Sequence, residues 1–379
     1  MKHKIILLSL LCINLASCKD DVKDIITTIN EDLPALEIPA KYDTTTFAAN
    51  TTDIYALRTN LKGILDSLNK GRTKNNRQVA TEMRALFEKG TPSLSGITNP
   101  VFKNEILDLF TKNELAYQNT QAFDPTKTPA ENGNGGIFNG YLLDENGIEF
   151  KEATEKQLFS WSMYRYAEEL LTKNLNQASI DKAIALFGAN ANFPNTNVAS
   201  ATVPKPDLFL ARYVAQRSLA ESGLYIDIKK GFIKLQAAVK AGEKYKKIQE
   251  ETVTNILRNW EKGAAATAIF YLISVETNLM TTDQTKKTGL IHNFNEGIFI
   301  IKSWKGLQNK QITDAQVDEL LALLYMPNNE KPALYKVTVP ANDTESIAKI
   351  KSAKNRLKEI YGFSDDDMKA FAINRITVR

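Results

Sequence analysis

From Asp53 onward, apolar residues recur at steps of three and four, the spacing that lines one face of an α-helix. Almost no stretch alternates with the period of two that a half-buried strand requires. Ile54, Leu57, Leu61, Ile64, Leu65 and Leu68 set the pattern in a first helix, with Asp53 as its N-cap. A second run, Val79 to Phe87, stops at Gly90, and a third follows Pro100 with Ile106, Leu107, Leu109, Phe110 and Leu115. The broadest stripe starts near Gly147 and passes through Phe150, Thr154, Leu158, Trp161, Met163, Tyr164 and Leu171; Ile180 to Phe187 continues it after a break. The same period marks Leu208 to Leu219, Ile226 to Val239, Tyr245 to Met280, Leu290 to Trp304, Thr313 to Tyr325 and Asp343 to Tyr361, and a last turn begins at Ser364. The best strand signal is Tyr335 to Val339, between Pro332 and Pro340. These patterns predict an all-α fold, a multi-helix bundle of about a dozen helices with little or no sheet.

Composition shifts divide the chain. Residues 1–17 read as a signal segment and 18–52, polar and interrupted by Pro34 and Pro39, as a tether and extended entry. Residues 53–188 form a first helical half, 189–206 an irregular crossing with three prolines, and 207–379 a second half. Phe123 to Gly140 is rich in Gly, Asn and Pro and reads as a surface loop. Glu155-Lys156 and Glu261-Lys262 each open an apolar helix, a faint internal echo between the halves.

The N-terminus carries Lys2 and Lys4, then an apolar run from Ile5 to Leu11, then Leu15-Ala16-Ser17-Cys18. This is the layout of a secretory signal, and its end resembles a bacterial lipobox, in which the cysteine is lipidated and the signal is cut before it. The apolar run is shorter than the roughly 20 residues that span a bilayer. Cys18 is therefore expected to be a lipid anchor, and Lys19-Asp20-Asp21 resembles the signal that sends lipoproteins to the outer face of the outer membrane. The expected location is the outer membrane, lipid-anchored and facing the cell exterior.

Cleavage there removes much of the reactive chemistry. Of two cysteines, Cys12 leaves with the signal and Cys18 is lipidated; of two histidines, His3 leaves and His292 stays. Cysteine–histidine and serine–histidine catalysis lose their components, and a Cys/His zinc site cannot be assembled. Gly133-Asn134-Gly135-Gly136 lacks the Lys-Ser/Thr of a phosphate loop. The full chain has a formal charge of only +4, and the signal takes two lysines with it, so no nucleic-acid partner is indicated. Lys229 to Lys247 reads as a solvated basic face.

His292 and Glu296 stand four apart, on one helix face. They are the candidate metal pair, with Glu155 and Glu261 as further carboxylates; the competing reading is a hydrogen-bonded pair at the bundle rim. Trp161, Tyr164, Tyr166, Trp260, Phe270, Tyr271 and Trp304 have the spacing of core residues, the alternative being a groove that stacks a sugar.

Several stretches together resemble a known group: Leu143-Asp144-Glu145-Asn146-Gly147-Ile148-Glu149-Phe150, Glu155-Lys156-Gln157-Leu158, Asp181-Lys182-Ala183 to Phe187-Gly188, Phe193-Pro194, Trp260-Glu261-Lys262-Gly263-Ala264-Ala265 to Tyr271-Leu272, and Asn295-Glu296-Gly297 to Phe299-Ile300. In this order they resemble an uncharacterised family of helical surface lipoproteins related to the imelysin-like proteins of iron acquisition, over nearly all of the chain from Ile38. The resemblance implies a bundle of two helical halves. It also implies a non-enzymatic role beside an outer-membrane transporter in iron, haem or siderophore uptake, with iron or another divalent metal as the possible cofactor. Imelysins carry His-x-x-Glu where this chain has His292-x-x-x-Glu296. The other functions to weigh are glycan binding for a sugar-uptake system and an imelysin-type metal-dependent peptidase.

Overall fold

The computed structural model describes residues 33–375 except 75, 77, 119–121, 197, 202 and 204. Cys18 and Lys19-Asp20-Asp21 lie outside the described residues. The fold is all-α, with one two-stranded sheet. Its longer helices are α1 (Thr52–Lys70), α2 (Ala80–Glu88), α3 (Pro100–Gln118), α4 (Phe150–Leu158), α5 (Arg165–Lys173), α6 (Gln177–Phe187) and α7 (Phe209–Ala215). They continue with α8 (Leu224–Lys240), α9 (Lys246–Leu279), α10 (Leu290–Lys302), α11 (Asp314–Leu323), α12 (Asp343–Tyr361) and α13 (Asp365–Phe371). No described helix is long and apolar enough to cross a membrane.

The longest helix, α9, is the axis of the bundle and packs along α8, α10 and α12. From Gly263 to Ile269 every residue is buried, as expected of a helix covered on all sides. Gly263 lets a neighbour in close: a Cβ there would come within 2.7 Å of Val214 on α7. Residues from Ile38 onward form one compact unit. The stretch before α1 is fastened to α6 by Asp181, which accepts from Tyr42 (2.5 Å), Thr46 (2.8 Å) and Asn50 (2.7 Å).

Between α4 and α5, Phe159–Tyr164 relaxes into a π-helix, a form that inserts a bulge into an otherwise continuous helix. There Trp161 stacks on Phe102 with centroids 3.9 Å apart, and Ser160 accepts from Ser303 at 2.8 Å. Trp161, Trp260 and Trp304 are all fully buried, and Tyr164 packs edge-on against the last two. The tryptophans therefore build the core and offer no stacking platform for a sugar.

Three local expectations are corrected. Tyr335–Val339 is not a strand: Leu334–Thr338 winds as a 3₁₀-helix that buries Leu334 and Val337, three apart, and Leu334 N–H donates to the Asn146 carbonyl. The sheet arises instead at the end of the expected loop, where β1 (Gly136–Phe138), within it, pairs in antiparallel register with β2 (Tyr141–Leu143), just beyond it. Asn139 and Gly140 turn the hairpin with φ of 49° and 84°, the left-handed pair that a two-residue type I′ turn demands. Asp53 is not the N-cap of α1, which starts one residue earlier; its carboxylate instead holds Lys182 at 2.6 Å.

Candidate functional site

The start of α4 is fixed by a tight turn. Asp144 accepts from the backbone N–H groups of Asn146 and Ile148, both at 2.8 Å, and Gly147 adopts φ of +85°. Asn295 on α10 then clamps the turn: its Oδ1 accepts from Glu149 N–H at 2.8 Å, while its Nδ2 donates to the carbonyls of Gly147 and Ile291. Because the side chains on either side of Asn295 share its helix, this clamp brings His292 and Glu296 against Glu149, which precedes α4, and Glu152 and Glu155 on it.

The resulting cluster holds four buried carboxylates and matches them with fixed cations. Lys156 Nζ lies 2.9 Å from Glu152, 2.6 Å from Glu155 and 3.0 Å from Glu296, and its side chain is wholly buried. Lys151 reaches Glu152 and Glu155 at 2.7 and 2.6 Å, and Arg72 from beyond α1 bridges Glu149 and Glu152. His292 Nδ1 meets Glu149 at 2.8 Å and is 3.6 Å from Glu152. The hairpin contributes Tyr141, which stacks on the His292 ring with centroids 4.6 Å apart and lies under the Arg72 guanidinium.

The electrostatics follow from burial and pairing. Burial would strip Lys156 of its proton, but Glu152, Glu155 and Glu296 outweigh it and hold the ammonium well above the usual lysine range. Burial pushes Glu152 and Glu155 up, yet Lys151 and Lys156 pull both below the ordinary glutamate value. Glu296 goes the other way, raised by burial and by the neighbouring Glu152 despite Lys156. Burial pulls His292 down, while its hydrogen bond to Glu149 and the charges of Glu152, Glu149 and Glu296 raise it overall.

In front of this cluster lies a cleft of ≈ 420 Å³, within the roughly 300–1,000 Å³ typical of small-molecule sites. Arg72, Lys151, Arg212, Arg217 and His292 line it, and among the described residues its only acidic wall residue is Glu296. Glu149, Glu152 and Glu155 stand behind this wall, so the surface offered to a ligand is cationic over an acidic foundation.

His292 and Glu296 thus sit at one site without pairing to each other: His292 engages Glu149, and Glu296 engages Lys156 and Tyr271. As metal donors they fall into separate trios, Glu149–Glu152–His292 and Glu152–Glu155–Glu296, which share Glu152. Lys156 already holds all three carboxylates of the second trio, and Arg72 already holds Glu149 and Glu152 of the first. Glu155 does join Glu296, whereas Glu261 lies elsewhere, accepting from the backbone of Gln311 and Ile312 and from Tyr361. Glu152 and the cleft arginines carried no signal, and Glu149 and Lys156 stood out only within the stretches that carry the family resemblance, although Glu149, Glu152 and Glu155 recur every three residues from the N-cap of α4 onward. Comparison of the chain with protein-family models, curated proteins and solved structures gave no match.

Proposed function

We propose that this protein is a lipid-anchored binding protein of the outer-membrane surface, which holds a small iron-carrying ligand for an outer-membrane transporter. The observation that carries the reading is the open cleft over a charge-compensated cluster. Its carboxylates and cations already neutralise one another, so the wall is a preorganised recognition surface. The lipobox at Cys18 and the resemblance to iron-acquisition lipoproteins supply the setting. The ligand in this reading is iron in a complex, such as haem or a siderophore. A bare cation is the weaker fit, since Lys156 and Arg72 already pair with the carboxylates it would need.

The reading is tested by affinity capture of the acylated protein from outer membranes, with identification of bound ligand and partner. Co-purification of a transporter and a growth defect of the deletion strain on a particular iron source are expected. Normal growth on every iron source would overturn the assignment to iron uptake. A second reading rests on the Glu149–Glu152–His292 trio, whose donor atoms lie within 4.8 Å of one another. It makes the site a divalent-metal centre, as an imelysin-type peptidase would need. Calorimetric titration with divalent cations, repeated on His292→Ala, decides it: binding that the substitution leaves unchanged, or no binding at all, ends that reading.

A further inference from the structure

Arg217 is out of balance with its surroundings. It lies two residues beyond the end of α7 and is only 5% exposed, yet no carboxylate pairs with it among the described residues. Nη1 makes two long hydrogen bonds, 3.2 Å to Gln216 and 3.4 Å to Asn374, while Nε and Nη2 make none. The guanidinium lies over Phe270, its Cζ 3.7 Å from the ring centroid. Burial pushes its pKa down to about 10, and it stays charged at neutral pH. The lysines at this site have matched acids: the buried Lys156 has three and the part-buried Lys151 two. A buried guanidinium with no carboxylate and two unbonded nitrogens carries an uncompensated desolvation cost, which an anion from outside the chain would offset.

Arg212 stands five residues earlier, within α7, exposed, over the Tyr213 ring and without an ion pair among the described residues. Both arginines line the cleft. Glu296 makes no ion pair with either arginine, being held by Lys156 at 3.0 Å and by Tyr271. Paired guanidinium forks with unused N–H groups are the chemistry that recognises carboxylate and phosphate oxygens bidentately.

We propose that the cleft binds a small, multiply charged oxyanion of the carboxylate or phosphate class, gripped by Arg217 at its buried end and by Arg212 at its open rim. This names the ligand chemistry of the site proposed above and rests on the cleft being the ligand site; it does not depend on iron. The anion supplies the missing partner for Arg217, and Phe270 keeps the guanidinium plane fixed for it. Arg72 and Lys151, tied to Glu149, Glu152 and Glu155, add field without being free to collapse onto the ligand.

The test is calorimetric titration of the purified mature protein with citrate and with inorganic phosphate, alongside sedimentation with phosphatidylglycerol and phosphatidylcholine vesicles. Expected is saturable binding of citrate or phosphate that weakens with added salt. Removing one charge-assisted contact in Arg212→Ala is expected to cost roughly tenfold in affinity. Arg217→Met is expected to abolish binding, and because it removes an unpaired buried charge it is expected to fold. Arg217→Lys, which keeps charge but loses the fork, is expected to bind more weakly than the parent. No binding of either anion at millimolar concentration overturns the proposal, as does affinity unchanged in both Arg212→Ala and Arg217→Met. Binding to phosphatidylglycerol vesicles but to neither free anion overturns it in favour of a lipid headgroup. Anion binding without any iron phenotype leaves this inference standing and removes iron uptake; an iron phenotype without anion binding does the reverse.

Discussion

At the scale of single residues, Lys156 decides whether the cluster holds together. Replacing it by methionine keeps the volume but leaves three buried carboxylates without their shared ammonium. Breaking a buried pair costs about 3–5 kcal/mol, so Lys156→Met is expected to lose at least that much in denaturant unfolding. Adding Glu296→Gln, which removes one unmatched charge, is expected to recover part of the loss. His292 gives a second residue-scale expectation. Facing it are Glu149, Glu152, Glu296, Arg72 and Tyr141, and the balance raises its pKa. A group whose folded pKa is raised stabilises most below its unfolded value of about 6.5, and the contribution disappears as pH rises through the higher folded value. The stability difference between the parent and His292→Gln should therefore be largest in mild acid and shrink in alkali, as read from unfolding midpoints.

At the scale of elements, the site depends on the turn that launches α4. A Cβ at Gly147 would come within 2.5 Å of Tyr335 N, at a φ of +85° that side chains rarely adopt. Gly147→Ala is expected to cost more than the about 1–3 kcal/mol of backbone strain alone, and to disturb the cluster by shifting Glu149 from Asn295. Gly140→Ala is the control: its φ is +84°, but nothing lies within 4 Å of the added carbon. It should show strain alone in the same unfolding measurement. The hairpin matters in the same way, since the Asn139-Gly140 turn places Tyr141 over His292.

Across the whole molecule, stability comes from one continuous apolar core, with the aromatic cluster around Trp260 near its centre. That core also buries acids at a cost. Burial pushes Asp207 to about 7 and Asp144 to about 6. The native state then holds protons that the unfolded chain has released, so this part of stability falls as pH rises from about 4 toward 7. The paired Glu152 and Glu155, held below their usual values, oppose it by losing their contribution only in stronger acid. Denaturant midpoints compared at about pH 5 and about pH 8 should show the Asp207 effect, and Asp207→Asn should flatten the difference.

The chain's own pattern determined the helices, because a 3.6-residue period is a local property: the runs from Thr52, Leu224, Lys246, Leu290 and Asp343 all appear where apolar spacing puts them. The burial of the tryptophans was legible for the same reason. His292 and Glu296 were also visible, as an i,i+4 pair. Their partners were not, since Glu149, Glu152 and Lys156 reach them only after Asn295 locks α4 to α10 across 146 residues of chain. Asp53 and Tyr335–Val339 show the same limit: each has a plausible local reading, overridden by Lys182 in one case and by the Asn146 carbonyl in the other. Which charges are matched and which, like Arg217, are left open is a property of long-range packing. Only the tertiary structure decides it, because pairing in a buried site depends on distances that no local spacing encodes.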